Sequence, residues 1–460
     1  MNRLLRFLAA SLLATVAAAV PPDAVPLPDA FGPATGEPSL AHGPDGTAYL
    51  TYAGPGRAKG ERAVWLATLA PSATAWSPPR PVVSTPLLME NWADFASLTV
   101  ATDGTLWAQW FQHRPGDDAH GYDGWFARST DAGATWSAPA PLGHEFVSLA
   151  PLGGGRVMAV WLESVRVRDP NAPRVRRDPA APRPPRDPSQ PSPPSMRLAA
   201  RLLAPDGTAL QDWIVDPDVC TCCQTTLATL PGDRLLVAYR GHTPEEIRDN
   251  RVARFDGTAW RAPESLHADG WKLPACPVNG PAADTRGEST AIAWFTAAAG
   301  VARVQAKLSP DGGATFGPAL PIDLGRPIGR IDLVMLADGS ALISWLESSE
   351  SPTEATLYVR RLFPDGVLSA PHRVATTRST RASGFARMTA RPGDDLPVLL
   401  AWMDAGPVPA GDTKPATHVC TALLAASAFT RPNGPLVAVT RGSRTEYLEL
   451  CAPAEHGAAP

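Results

Sequence analysis

Residues 332–347 read DLVMLADGSALISWLE. A short apolar run, a turn at Asp338-Gly339 and a second apolar run that ends on Trp345 describe two antiparallel strands. The second run is apolar at almost every position, as in a strand covered on both faces. The design recurs as SLAHGPDGTAYLTYAG from Ser39, SLTVATDGTLWAQWFQ from Ser97 and SLAPLGGGRVMAVWLE from Ser148. It returns as TLATLPGDRLLVAYRG from Thr226, AADTRGESTAIAWFT from Ala282 and RMTARPGDDLPVLLAWMD from Arg387. The closing aromatics are Tyr52, Trp110, Trp161, Tyr239, Trp294, Trp345 and Trp402, most of them about 50–60 residues apart. After each one the chain has room for two more short strands, and four strands per repeat arranged radially make a β-propeller. Seven repeats imply seven blades in an all-β chain, with a six-bladed body as the alternative. The 51 prolines and 14 tryptophans fit many short strands and turns.

The 460 residues carry a formal net charge of -4, which gives no footprint for nucleic acid. The opening MNRLLRFLAASLLATVAAAV places Arg3 and Arg6 before an apolar run and small residues. That layout is a secretory signal peptide, expected over 1–19, so the mature protein is expected in the periplasm or outside the cell. No later segment is expected to form a stable membrane span. A lead-in over 20–37, a propeller over 38–430 and a tail over 431–460 complete the expected organisation. The stretch 164–196, rich in Pro, Arg and Asp, is expected as a disordered loop between the second and third strands of the third repeat.

Two turns, SerThrAspAlaGlyAlaThrTrp at 129–136 and SerProAspGlyGlyAlaThrPhe at 309–316, follow the Asp-box pattern. Weaker versions stand at 73–78 and 255–260. The Asp accepts backbone N–H bonds, Gly permits a left-handed residue and the aromatic tucks beneath a strand. These turns read as fold staples. They make the chain resemble the secreted bacterial sialidase-like (BNR-repeat) propellers, in a cysteine-containing subgroup, over roughly residues 35–430.

Strands of a blade alternate in direction, so the loops feeding each innermost strand converge on one end of the axis. Those loops carry Trp92, Asp94, Asn279, Arg330, Asp332 and Arg387; Arg240, Arg248 and Asp249 fall on the same face. Acids also end the motifs WLE, WLE and WMD at Glu163, Glu347 and Asp404. Convergent polar groups on a concave face make a ligand site; their alternative role is inter-blade salt bridging. The sialidase resemblance implies an arginine clamp for a carboxylated sugar, a tyrosine nucleophile helped by a glutamate, and an aspartate as acid/base. Asp94 is the position for that aspartate, and Arg240, Arg248, Arg330 and Arg387 are the clamp candidates. The chain departs from the family in lacking the Arg-Ile-Pro signature. It also shows no tyrosine–glutamate pair near the axis: Tyr122 and Asp123 are placed farther out, and Tyr447, between Glu446 and Glu449, lies in the tail.

Half of the six cysteines sit in DVCTCCQTT, residues 218–226. Cys276, on the loop feeding the next repeat, is expected to face Cys220, Cys222 and Cys223. Export favours disulfides, with Cys276 bridged to one member of the turn and Cys420 tied to Cys451. Four clustered sulfurs also suit a soft cation, Cu(I) or Zn; redox-active thiols are a third reading. The functional readings are therefore a sialidase-like propeller that binds or hydrolyses an anionic glycan, a thiolate metal protein, and a noncatalytic protein-interaction scaffold.

Overall fold

The computed structural model describes residues 31–115, 121–165, 194–391, 397–406, 415–425 and 428–432, and the backbone of 24–26, 436–441 and 444–449. The expected signal segment at 1–19 and residues 166–193 of the insertion lie outside the described residues. No helix among them is long and apolar enough to cross a membrane. Seven four-stranded antiparallel sheets follow in chain order, over 36–85, 97–141, 145–219, 226–265, 282–321, 327–378 and 387–424. The chain is therefore all-β with seven blades. Only the last sheet is not a simple meander. Its outer strand is Ala24–Pro26, antiparallel to Thr417–Leu424 with Ala24 opposite Leu424. The innermost strand of the first blade, Gly36–His42, begins just before the expected boundary at 38. In the tail, Leu436–Arg441 and Arg444–Glu449 form a two-stranded hairpin.

Each closing aromatic lies on the second strand of its blade, where the sheet is covered by blades on both sides. Trp110, Trp294 and Trp345 have no exposed surface. The apolar run is thus the signature of double-sided burial. The repeated WLE has a local cause as well. Residues two apart on a strand share a face, so Glu347 accepts the Trp345 indole N–H at 2.7 Å, and Glu163 accepts that of Trp161 at 3.1 Å. Glu347 also accepts the Leu324 and Arg326 N–H groups, and Glu163 pairs with Arg197. These bonds give the two acids the structural role that was the alternative to a ligand-binding rim. In the third motif, Asp404 reaches His418 at 3.8 Å.

Neighbouring blades splay apart, so their innermost strands are joined by side chains. Thr99 donates to Leu149 O, Ser148 to Thr225 O and Thr226 to Pro281 O, at 3.1, 2.7 and 2.7 Å. Asp284 accepts the Met335 N–H, Asp332 accepts the Met388 N–H, and His42 Nδ1 meets Thr389 Oγ1 at 2.9 Å. Six of the seven junctions are stitched in this way among the described residues.

The Asp-box turns join third and fourth strands, away from the loops that feed the axis. Ser129 accepts the Gly133 N–H and Asp131 accepts the Thr135 N–H, at 2.8 and 2.9 Å. Ser309 and Asp311 repeat the pattern with Gly313 and Thr315.

If the doubly covered second strands carry the stability, Trp345→Ala lowers the unfolding free energy by about 3–5 kcal/mol in urea titrations. Trp402→Ala, at a half-buried position, costs clearly less. Equal losses would contradict this account of the core.

Candidate functional site

The loop that feeds the second blade crosses toward the axis. Asn91 turns it by accepting the Ala93 and Asp94 N–H groups through its side chain and carbonyl. Gln224 of the fourth blade anchors it, donating to Ala93 O at 2.7 Å and accepting the Gly280 N–H at 3.0 Å. A Cβ at Gly280 would stand 2.1 Å from Gln224 O, so this approach requires glycine. The anchored loop presents Trp92, which stacks on Phe385 with centroids 5.9 Å apart. Arg330 and Arg381 lie over the indole at 4.9 and 5.7 Å. An axial cavity of about 210 Å³ is lined by Asp94, Phe95, Phe146, Asp332 and Arg387, among others.

The backbone at this end of the axis is strained. Glu37, Phe146, Val278 and Arg330 take positive φ angles of 56, 53, 47 and 57° where the chain enters innermost strands of four blades. Register shifts accompany three of them. Such residues cost about 1–3 kcal/mol each and persist where the surroundings hold them. Asn279 is one such holder: its Oδ1 accepts the Arg330 N–H at 2.8 Å and its Nδ2 donates to Ile328 O.

Acids gather at one side of this face. Asp94 is buried and accepts the Tyr122 hydroxyl at 2.9 Å and the Phe146 N–H at 3.0 Å. Burial holds its carboxyl well above the usual range, against those two hydrogen bonds. Burial also pushes Glu145 up to about 7, with Arg114 opposing. Glu37 is raised by burial and then by the charge of Glu90, and Tyr122 by burial and then by Asp94. Arg114, Asp123 and His144 form a network beside them, with Arg114 Nε 2.6 Å and His144 Nδ1 3.1 Å from Asp123. Tyr122 therefore does not lie farther out, as the sequence implied; it reaches Asp94 across 28 residues of chain.

The four arginine candidates part company. Arg240 is buried and spends its donors on the carbonyls of Asn279, Arg248 and Phe295, above the Trp271 ring at 4.9 Å. Arg248 pairs with Glu246, and Asp249 accepts the Gly270 and Trp271 N–H groups. These three brace the fourth and fifth blades. Arg387 pairs with Asp332 at 3.1 Å and lies over Phe95. Arg330 donates to Ser383 Oγ and Gly384 O and has no carboxylate partner among the described residues. Burial, with Arg381 beside it, brings Arg330 down to about 10. Arg381, exposed and also without an ion pair among the described residues, is the cation the residue-type reading passed over. Its signal was its place on the Gly384 loop feeding the seventh blade.

The cysteine turn lies beside this assembly. Cys222 is bonded to Cys276, the bridge expected between the turn and the next feeding loop. The Sγ atoms of Cys220 and Cys223 share a hydrogen bond at 2.9 Å, and both residues are buried. Burial raises both thiols. At Cys220 the Cys223 hydrogen bond and the Arg240 charge outweigh it, so Cys220 is the more acidic member. The Sγ atoms of Cys220, Cys222 and Cys223 lie within 4.8 Å of one another, close enough to share a cation. A four-thiolate site for Cu(I) or Zn would require the Cys222–Cys276 bond to be reduced. Cys420 sits opposite Trp402 on the seventh blade, while Cys451 lies outside the described residues.

No protein-family model matches the chain, and no curated protein matches it in sequence. Solved structures do. An ulvan lyase of a polysaccharide lyase family, bound to -[GlcA(1-4)Rha3S]-, is 11% identical, with a TM-score of 0.50 over 88% of this chain and 94% of that one. A protein of unknown function from Dyadobacter fermentans is 15% identical, with a TM-score of 0.47 over 88% and 98%. The NanB sialidase of Streptococcus pneumoniae is 11% identical, with a TM-score of 0.42 over 85% and 68%. What the chain shares with the ulvan lyase at such identity is its fold.

Proposed function

We propose that the axial face binds an anionic saccharide, with Arg330 and Arg381 taking its carboxylate or sulfate beside Trp92. The observation that carries this reading is the pair of adjacent guanidiniums over one indole, neither matched by a carboxylate among the described residues. Two like charges held together on a concave face, one of them buried, are relieved by an anionic ligand. The -[GlcA(1-4)Rha3S]- bound by the ulvan lyase is carried over only as the chemical class to try first. Asp94, Tyr122 and Glu145 are the proton-handling groups, because a carboxyl poised near 7 can give or take a proton at neutral pH. Export is part of the same proposal, and the Cys222–Cys276 disulfide fits an oxidising compartment.

Titration calorimetry with uronate- or sulfate-bearing oligosaccharides and their neutral counterparts tests the clamp. Binding is expected for the anionic members alone, weakened by salt, and reduced about 10- to 100-fold by Arg381→Ala. Equal binding of the neutral members, or no saccharide binding at all, would sink the proposal and favour a protein-interaction scaffold. If the bound chain is cleaved, Glu145→Gln slows cleavage by about 10²–10⁴.

Stability reports on the same acid. Glu145 titrates near 4.5 when unfolded and at about 7 when folded, so the folded state holds the extra proton between those values. The stability that this carboxyl contributes is therefore fully present below pH 4.5 and is lost as the pH rises through about 7. Urea unfolding between pH 5 and 8 is expected to show a shallower decline in Glu145→Gln than in the parent. Identical slopes would refute the raised carboxyl.

A further inference from the structure

We propose that the four central cysteines form an intramolecular thiol–disulfide relay, moving two electrons between the buried pair Cys220/Cys223 and the outer pair Cys222/Cys276. Three geometric facts support it. The inner sulfurs are adjacent at 2.9 Å, yet unbonded. The Cys222 sulfur, one end of the existing disulfide, lies within 4.8 Å of both. Burial then divides the pairs: Cys220 and Cys223 are each 1% exposed, whereas Cys276 lies at the surface. Two permanent staples would have no use for an open dithiol held against a closed bond. Arg240 adds an electrostatic reason. Its guanidinium is buried on carbonyl oxygens without an ion pair among the described residues. Negative charge that develops on sulfur during exchange therefore meets a fixed cation.

The steps balance. The Cys220 thiolate attacks Cys222 Sγ; the Cys220–Cys222 bond forms, the Cys222–Cys276 bond breaks, and Cys276 leaves as a thiolate. The Cys223 thiolate then attacks Cys220 Sγ, closing Cys220–Cys223 and releasing Cys222. Two sulfhydryl hydrogens leave the inner pair and two arrive at the outer pair, so no oxidant is consumed. Cys220 is the first attacker because Cys223 is next to Cys222 in the chain and would close a vicinal ring. At the surface, Cys276 attacks a disulfide of a partner protein or small molecule, and Cys222 resolves the mixed disulfide. The partner leaves as a dithiol and the outer bond is restored. A dithiol donor running the sequence in reverse recharges the inner pair.

The folded protein, purified without reductant, is incubated with iodoacetamide, and its cysteines are then mapped by mass spectrometry. The relay predicts alkylated Cys276 and Cys222 together with a Cys220–Cys223 disulfide, formed with no added oxidant. Cys220→Ser is expected to slow labelling of Cys276 roughly tenfold or more. Because the wild-type pattern is read first, a folding defect in the variant does not decide the result. The proposal is overturned if Cys222–Cys276 stays intact and unlabelled while Cys220 and Cys223 become reactive only on unfolding. It is equally overturned if a stoichiometric metal, removable by a chelator, occupies the thiols.

Discussion

Sheets arranged around an axis cannot share a hydrogen-bond ladder, because their innermost strands diverge. That constraint governs the rest of the molecule. Each junction needs another link, and at five of them among the described residues a polar side chain of one blade bonds the backbone of the next, as Ser148 bonds Thr225. The second strands, packed between blades, supply apolar adhesion through Trp110, Trp294 and Trp345. The inner stitches hold the ring while leaving a polar-lined cavity at its centre. Asp332 shows how closely the two tasks sit: it accepts the Met388 N–H, pairs with Arg387 and lines the cavity.

The architecture was legible because double-sided burial writes an apolar run with a large aromatic into every repeat. The seven blades follow from seven such runs. The site was legible as a region and less so as residues. A glutamate that caps an indole two positions earlier looks, in sequence, like a glutamate aimed at a ligand, so sequence alone left both roles open for Glu163 and Glu347. Arg240 faces inward to carbonyl oxygens, and carbonyls leave no mark in a sequence. Asp94 comes from the loop feeding the second blade and Tyr122 from that blade's third strand, so their contact depends on how far the loop leans over the axis. The three residues Ala24–Pro26 are too few to show any periodicity.

The chemistry of the axial face is divided. Glu37, Asp94, Glu145 and Tyr122 crowd one region, where burial favours their protonated forms. Arg330 and Arg381 share Trp92. The left-handed residues at this end indicate that the surroundings, and not local preference, set these positions. Asn279 ties the cysteine loop to the cation pair. It lies three residues beyond Cys276 and grips the backbone of Arg330, so the bonded cysteine loop and the cation pair share one support.

Ring closure by Ala24–Pro26 has a consequence for how the chain folds. A strand near the start must find one near residue 424, a pairing across almost the whole sequence. Six blades are local meanders, but the seventh lacks its outer strand until Ala24–Pro26 docks on Thr417–Leu424. Closing so long a loop is entropically unfavourable, and folding rates fall as contacts become less local. The last step is thus the least local one, and until it occurs the edge of Thr417–Leu424 stays open to pairing with another chain.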